Sequence, residues 1–436
     1  NDFGSTWRKI TDGLPEGWSV NVIREHPENS NLLFLGNEIG LYVSIDAGGS
    51  WGRMQNNLPP VAVDDIAIHT RENDLVLGTH GRSIWILDDI TPLQELSNQV
   101  LASAAHLFGS RRATIWSMGM DWPFQPATFV ADNPPNAAAI RYYLREPVES
   151  GTTATGQNGV GDGSTLVTVS EIGPDGAVSP MGVRGRKLES MWDQDSTPLR
   201  LEILDSAGDV IRTLEPSNEV GVQQVLWDFR LEPAFEASSE GGGFRGGPPM
   251  GAGPRVLPGT YMARLTVGDE SHTREIEVRL DPRRNASRSD LVERQKALMQ
   301  VYALAQPIRD AAQRLTAMDQ RMNEIEELVA TANLEEEDKA QIEGDIEDLS
   351  ETLEELREDF SEANRMGRQT GSIENWSGRP SADQLWSIDQ TWEVMPKVIE
   401  RINSMLTNRM PALEALLTNV GVVPSLGEPI SIPKRR

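Results

Sequence analysis

The sequence predicts a multidomain chain that is mainly β with added α structure: the last blades of a β-propeller, an immunoglobulin-like β-sandwich and a C-terminal antiparallel helical bundle. Three observations lead to this fold class. Trp7 and Trp51 each follow a turn that contains Gly and Ser, and they are 44 residues apart, a spacing typical of propeller blades. Apolar and polar residues alternate along several segments between 126 and 283. After residue 288 the apolar period becomes about 3.5.

These patterns divide the chain into five predicted parts. We expect propeller blades over 1–92, a connector over 93–125, the sandwich over 126–283 with a Gly-rich loop at 240–253, a three-helix bundle over 288–420, and a tail over 421–436.

Composition limits the partners and the chemistry. The 436 residues carry a net charge of −26, which disfavours nucleic acid and anionic membranes as partners. There is no cysteine, so neither disulfides nor thiolate metal sites form. The His spacings match no metal motif, and we expect no metal and no cofactor. No apolar run is long enough to cross a membrane.

The first part is organised around one turn, Ser44 to Trp51, which has the pattern S-x-D-x-G-x-S-W. Ser44 and Asp46 can bond the backbone of their own turn, Gly48 can take a positive φ, and Trp51 offers a large apolar surface to an adjacent sheet. A second copy of the pattern supplies Asp2, Gly4 and Trp7. We assign all seven residues a structural role and expect both tryptophans, with Trp85 and Trp227, in apolar cores.

Seven strands are predicted around this turn. The first blade has strands over 20–26, 32–36, 40–45 and 50–55, and the second has strands over 65–69, 74–78 and 83–87. Because Asn1 adjoins the first copy of the turn, we expect this chain to be the C-terminal piece of a longer protein. The N-terminal part of that protein is then the first partner, and it would supply a fourth strand to the second blade and close the ring.

Several segments resemble large bacterial proteins with BNR/Asp-box repeats of the sortilin-like type, a group in which the name glycosyl hydrolase is common. Gly78 to Leu93 (GTHGRSIWILDDITPL) is similar to the end of their second propeller. Asn133 to Leu144, Leu199 to Leu214, Val225 to Arg230 and Gly253 to Val267 are similar to the module that follows the propellers. The resemblance implies a secreted or periplasmic location and a propeller face that binds carbohydrate or protein.

The sandwich and the helices also have their own sequence signals. Leu199 to Ile203 alternate, Asp205 to Gly208 form a turn, and Val210 to Leu214 return, which predicts a hairpin. Further strands are expected over 222–229, 259–267 and 275–280. In the helical part we expect Ser289 to be the first N-cap, and we expect Pro307, Pro396 and Pro411 to kink or shorten helices.

Candidate ligand-binding residues are few. His80 and Arg82 lie in the turn between the last two strands of the second blade and suit an anionic or sugar ligand, although an ion pair from Arg82 to Asp88 or Asp89 explains them as well. Asp88 and Asp89 are adjacent on a strand and point to opposite faces, so they are a poor acid pair for glycoside hydrolysis. Trp116 and Trp122 lie in irregular sequence and suit an exposed platform for a ligand.

Three functions remain open from the sequence. The first is a non-catalytic binding or scaffold portion of an Asp-box propeller protein, which presents a propeller face to carbohydrate or protein. The second is part of an inverting glycoside hydrolase, similar to two-propeller xyloglucanases, with its catalytic carboxylates upstream. The third is a structural subunit of a cell-surface complex. We favour the first, with no catalytic residue in this chain.

Overall fold

The computed structural model of the chain describes residues 4–55, 57–117, 135–148, 198–235, 251–332, 334–367, 370–375 and 378–419. Several antiparallel sheets come first and a helical region follows, as the predicted combination of β and α structure requires. Asp2, Trp122, residues 240–250 of the Gly-rich loop and the tail lie outside the described residues.

The N-terminal part contains two antiparallel sheets, and they confirm the seven predicted strands. The first sheet has four strands in the order in which they follow one another along the chain: β1 (Val20–His26), β2 (Asn29–Asn37), β3 (Gly40–Ser44) and β4 (Gly52–Met54). The second sheet has three: β5 (Val63–His69), β6 (Asp74–Thr79) and β7 (Ile84–Leu87). Each strand is joined to the next by a short turn.

The two sheets pack face to face on one apolar core. Val22, Leu32, Phe34 and Leu41 of the first sheet meet Val63, Ile66, Leu75 and Leu77 of the second. The opposite faces are only partly covered. Leu33, Leu35 and Tyr42 of the first sheet are buried with Trp51, but other large apolar side chains of the two sheets lie in solvent. Val20 and Ile23 are exposed on the first sheet, and Ile84 and Ile86 are 68% and 60% exposed on the second.

The middle part contains two further sheets around a second core. After the short helices α1 (Thr91–Glu95) and α2 (Asn98–Ala102), one sheet has the order β13-β10-β8 and the other the order β12-β11-β14-β15-β9. Their strands are β8 (Ala105–Leu107), β9 (Ala113–Ile115), β10 (Ala138–Leu144), β11 (Leu199–Leu204), β12 (Val210–Leu214), β13 (Gly221–Trp227), β14 (Gly259–Val267) and β15 (Glu270–Leu280). Both sheets contribute to one core, in which Trp227 is fully buried.

Residues 93–125 do more than connect, which corrects the predicted boundary at 126. Strand β8 pairs with β10, and β9 pairs in parallel with the end of β15. Both strands have only three residues, so their alternation is too short to be recognised in the sequence. The predicted hairpin of β11 and β12 is confirmed. In its turn, Asp205 Oδ1 accepts hydrogen bonds from the N–H groups of Ala207 and Asp209.

The C-terminal part contains three long helices that share a third core: α3 (Arg288–Thr331), α4 (Glu336–Gly367) and α6 (Ala382–Ser404). Ion pairs show that neighbouring helices are antiparallel. Arg401 of α6 binds Asp359 of α4, and Arg409, further along the chain, binds the earlier residue Asp348. Between α3 and α4, Asp319 pairs with Arg357 at 2.7 Å, and Val329 lies beside the earlier α4 residues 343–347.

Two details of the helices differ from the prediction. Ser287, not Ser289, is the N-cap of α3, because its hydroxyl accepts a hydrogen bond of 3.1 Å from the N–H of Asp290. Neither α3 nor α6 is shortened at its proline, since α3 continues through Pro307 and α6 through Pro396. A π-helical turn, Met405–Arg409, precedes Pro411 in α7 (Met410–Asn419). The wider turn suits a residue that has no N–H to donate.

A buried ion pair joins the middle part to the helices. Arg230 follows β13, and Glu374 lies in the short helix α5 (Thr370–Asn375). Nη1 and Nη2 of Arg230 donate to the two carboxylate oxygens of Glu374 over 2.9 and 2.7 Å, and both side chains are buried. The N–H of Arg255 also donates to Glu374, over 3.2 Å. None of the described helices is both long and apolar enough to cross a membrane.

Candidate functional site

The predicted turn at Ser44 to Trp51 forms a closed hydrogen-bond network. Asp46 Oδ1 accepts the hydroxyl of Ser44 over 2.7 Å and the N–H of Ser50 over 2.8 Å, and Oδ2 accepts the Ser50 hydroxyl over 2.8 Å. The N–H of Gly48 donates to Ser44 Oγ over 2.9 Å. These bonds, first that from the N–H of Ser50, hold the pKa of Asp46 below its ordinary value. Asp46 therefore braces the turn and is not available as a catalytic acid.

Trp51 connects this turn to the N-terminal segment. Its ring is buried against Leu33, Leu35 and Tyr42, and its indole N–H donates to the carbonyl of Ile10 over 3.0 Å. Gly48 has a φ of 82°, and a side chain on it would come within 2.9 Å of Ile10 Cδ1. The glycine is thus required by its backbone conformation, whereas the close contact involves the flexible end of the Ile10 side chain.

Trp7 does not lie in an apolar core, so that prediction is wrong. Its side chain is 91% exposed, and its indole N–H donates only to the carbonyl of Gly4 over 3.1 Å. Gly4 has the positive φ expected of the pattern, at 83°. No described strand precedes β1, so no described sheet lies under the Trp7 ring, and the core position expected from the repeat is absent.

His80 and Arg82 lie together at one end of the second sheet, in the turn between β6 and β7. His80 is 82% exposed, and its Nδ1 lies 3.1 Å from Oδ2 of Asp64. No sequence signal marks Asp64 as its partner. Arg82 is exposed, and no described residue forms an ion pair with it. This end of the sheet therefore offers a cation and an imidazole–carboxylate pair to solvent.

The predicted pairing of Arg82 with Asp88 or Asp89 is wrong. Asp89 is buried, binds the guanidinium of Arg141 on β10, and accepts the Thr91 hydroxyl over 2.5 Å. Arg82 precedes β7 whereas the two aspartates follow it, and a four-residue strand separates them by about 13 Å. Asp89 therefore links the second sheet to the middle part. Arg141 is 52 residues away in sequence, so no local signal marks it as the partner.

Trp116 directly follows β9 and is 38% exposed. Its backbone N–H and carbonyl are bonded by the side-chain amide of Asn136, over 2.9 and 2.8 Å. The guanidinium of Arg283 lies 5.9 Å from the centre of its ring. Trp116 contacts neither His80 nor Arg82, so the described structure does not bring the predicted ligand-binding residues together.

Acidic residues are numerous in the described structure, and one groove between α3 and α4 is lined by Glu326, Glu343, Glu347, Glu351 and Glu354. Within the described ranges, no group of three or more His, Asp or Glu residues is arranged to hold a metal ion. Helix α4 carries many of the carboxylates, and several of them pair with arginines of other helices. Comparison of the chain with models of protein families, with curated proteins and with solved structures found no match.

Proposed function

We propose that strands β1–β7 belong to an Asp-box β-propeller, and that the chain is the non-catalytic binding and scaffold portion of a secreted or periplasmic protein. The observation that carries this proposal is the turn at Ser44 to Trp51. Every polar residue of its pattern has the role that the pattern predicts, and Trp51 packs on the neighbouring segment. The resemblance to BNR/Asp-box proteins supplies the expected location.

The arrangement of the two sheets supports a propeller. Consecutive meanders pack face to face, as adjacent blades do. Large apolar side chains remain exposed on both sheets, Val20 and Ile23 on the first and Ile84 and Ile86 on the second, and a further blade would cover such side chains. Within the described strands, β7 is paired on one side only, with β6. A fourth strand at this edge would complete the second blade.

The surface around His80 and Arg82 is the proposed ligand face. The guanidinium supplies several donors, and the imidazole and Asp64 supply both donors and acceptors, which suits the hydroxyls of a carbohydrate. In the same proposal, the two middle sheets form an immunoglobulin-like sandwich, and this sandwich and the helices serve assembly or attachment. Asp46 braces its own turn and Asp89 is bound to Arg141, so these two carboxylates do not serve as an acid pair, which favours binding over hydrolysis.

Retention of the whole chain on insoluble polysaccharides tests this function. We expect at least one polysaccharide in a panel of neutral and acidic plant and microbial glycans to retain the chain without release of reducing ends. Replacing both proposed contacts, H80A with R82A, removes donors from the ligand face, so retention should fall about tenfold or more.

R71A is the matched control, because Arg71 is an exposed arginine in the turn between β5 and β6 and pairs only with its neighbour Glu72. It should leave retention unchanged. Release of reducing sugars would replace the proposal with glycoside hydrolysis. Absence of retention by every glycan, or equal retention of the double variant, would also contradict it.

A further inference from the structure

A cavity of about 650 Å³ lies between the five-stranded sheet and the first turns of α3. None of its lining residues belongs to the His80–Arg82 surface, and the inference from it does not depend on the proposed function. The walls are largely apolar and include buried Ile211, Val278 and Leu291. Its volume is within the range of sites that enclose a small organic molecule.

The charged groups of this cavity are mostly arginines. Arg279, Arg284 and Arg288 line it, with Asp205 and Asp281 as the acidic members. Asp281 is neutralised by Arg283, whose Nη2 lies 2.5 Å from Oδ2, and Asp205 bonds the backbone of its own turn. Arg279 donates to the Thr114 hydroxyl over 2.9 Å. Among the described residues, the guanidiniums of Arg284 and Arg288 form no hydrogen bond or ion pair.

Further positive charge lies behind Arg284. Burial and the neighbouring Arg230 guanidinium lower the pKa of Arg255, and burial and Arg284 lower the pKa of Arg294. The carboxylates that offset this group are Glu374 and Asp228. Several arginines therefore lie close together here, in a chain whose net charge is −26. The local excess of positive charge would be relieved by an anion.

Gln295 adds a neutral hydrogen-bonding group to the cavity. It lies two turns into α3 and lines the cavity, although only 3% of it is exposed. Its amide makes no hydrogen bond to any described residue. Because Gln295 lines the cavity, a molecule bound there can hydrogen-bond with its amide. The positive end of the 44-residue helix α3 faces the same space.

We propose that this cavity is a binding site for an organic anion of monosaccharide size, held through a carboxylate, sulfate or phosphate group by Arg284 and Arg288. Gln295 bonds a hydroxyl or carbonyl of the ligand, and the apolar walls contact its carbon skeleton. Guanidinium groups suit all three oxyanions because each presents paired oxygen acceptors. The neutral analogue should bind weakly, because it leaves the arginines without an anion.

Titration calorimetry of the whole chain tests the site with four probes: glucuronate, glucose 6-sulfate, glucose 6-phosphate and glucose. We expect at least one anionic probe to bind about tenfold or more tightly than glucose, and the ranking of the three identifies the oxyanion. R288Q removes one charged donor from the exposed first turn of α3, and it should weaken the binding of that probe about tenfold or more. Q295L should also weaken the binding of that probe, although it does not change the charge of the chain.

K296Q is the matched control. Lys296 lies on the same helix, and its substitution removes the same charge, but Lys296 pairs with Glu293 outside the cavity. It should bind the probe as the original chain does. Circular dichroism melts of all variants confirm that they fold. Failure of all three anions to bind more tightly than glucose would overturn the proposal. Equally weakened binding by R288Q and K296Q would also overturn the proposal, because the loss would then follow from the net charge of the chain and not from contacts in the cavity.

Discussion

At the scale of single residues, the structure depends on short polar side chains that satisfy their own turns. Asp46 accepts three hydrogen bonds from Ser44 and Ser50, and Ser44 in turn accepts the N–H of Gly48. The donors and acceptors are all within a few residues of one another, so the sequence alone predicts them. Asp89 and Arg141 show the opposite case, since their contact depends on how distant segments pack.

The Asp46 network predicts a pH-dependent contribution to stability. Its hydrogen bonds, first that from the N–H of Ser50, lower the pKa of the Asp46 carboxyl in the folded state below its ordinary value. The ionised carboxylate therefore stabilises the folded state, and this contribution is fully present at pH values above the pKa of the unfolded chain. That contribution is lost as pH falls through the lower folded pKa. At pH 7, D46N should reduce the free energy of unfolding of the N-terminal sheets by about 1–3 kcal/mol.

Urea unfolding of both proteins between about pH 7 and pH 2 measures this difference, which should shrink in the acidic range. D12N is the control, because the Asp12 side chain is exposed and only its carbonyl contacts Trp51. A stability difference for D46N that does not change with pH would exclude the ionised carboxylate as its cause.

At the scale of elements, periodicity predicted the strands and the long helices well. Periodicity does not predict an element that is very short, or an element boundary that depends on contacts with neighbouring residues. Strands β8 and β9 have three residues each, and the choice of Ser287 over Ser289 as N-cap depends on which hydroxyl meets the N–H of Asp290. The candidate cavity could not be predicted from the sequence either, because its lining residues come from several separate elements, among them β12, β14, β15 and α3.

The short helix α5 should depend on one ion pair. Glu374 meets both Arg230 and the backbone of Arg255, and E374Q would leave the buried guanidinium of Arg230 without its counter-charge. We expect a loss of about 3–5 kcal/mol in the stability of the contact between the middle part and the helices. Hydrogen exchange of residues 229–231 and 372–374 measures it, and those amides should exchange faster.

E358Q provides the comparison, because Glu358 is an exposed acidic residue on α4. Its effect on exchange at the same amides should be within error of zero. If E374Q leaves protection there unchanged, the pair does not hold α5 in place.

At the scale of the whole molecule, the three largest described cores follow one another along the chain, and buried polar contacts link them. Asp89 with Arg141 joins the first to the second, and Arg230 with Glu374 joins the second to the helices. Exposed apolar side chains such as Ile23 and Ile86 are the feature of the first two sheets that the described chain leaves uncovered. The proposed propeller explains them as surfaces between blades.

A crystal structure of the native protein, soaked with oligosaccharide from the polysaccharide that retains it, tests this account most directly. We expect further sheets to pack on the faces of Ile23 and Ile86, and an uncleaved oligosaccharide to contact His80 and Arg82. Faces that remain in solvent would contradict the propeller. A cleaved oligosaccharide, or one bound elsewhere on the protein, would contradict the proposed function.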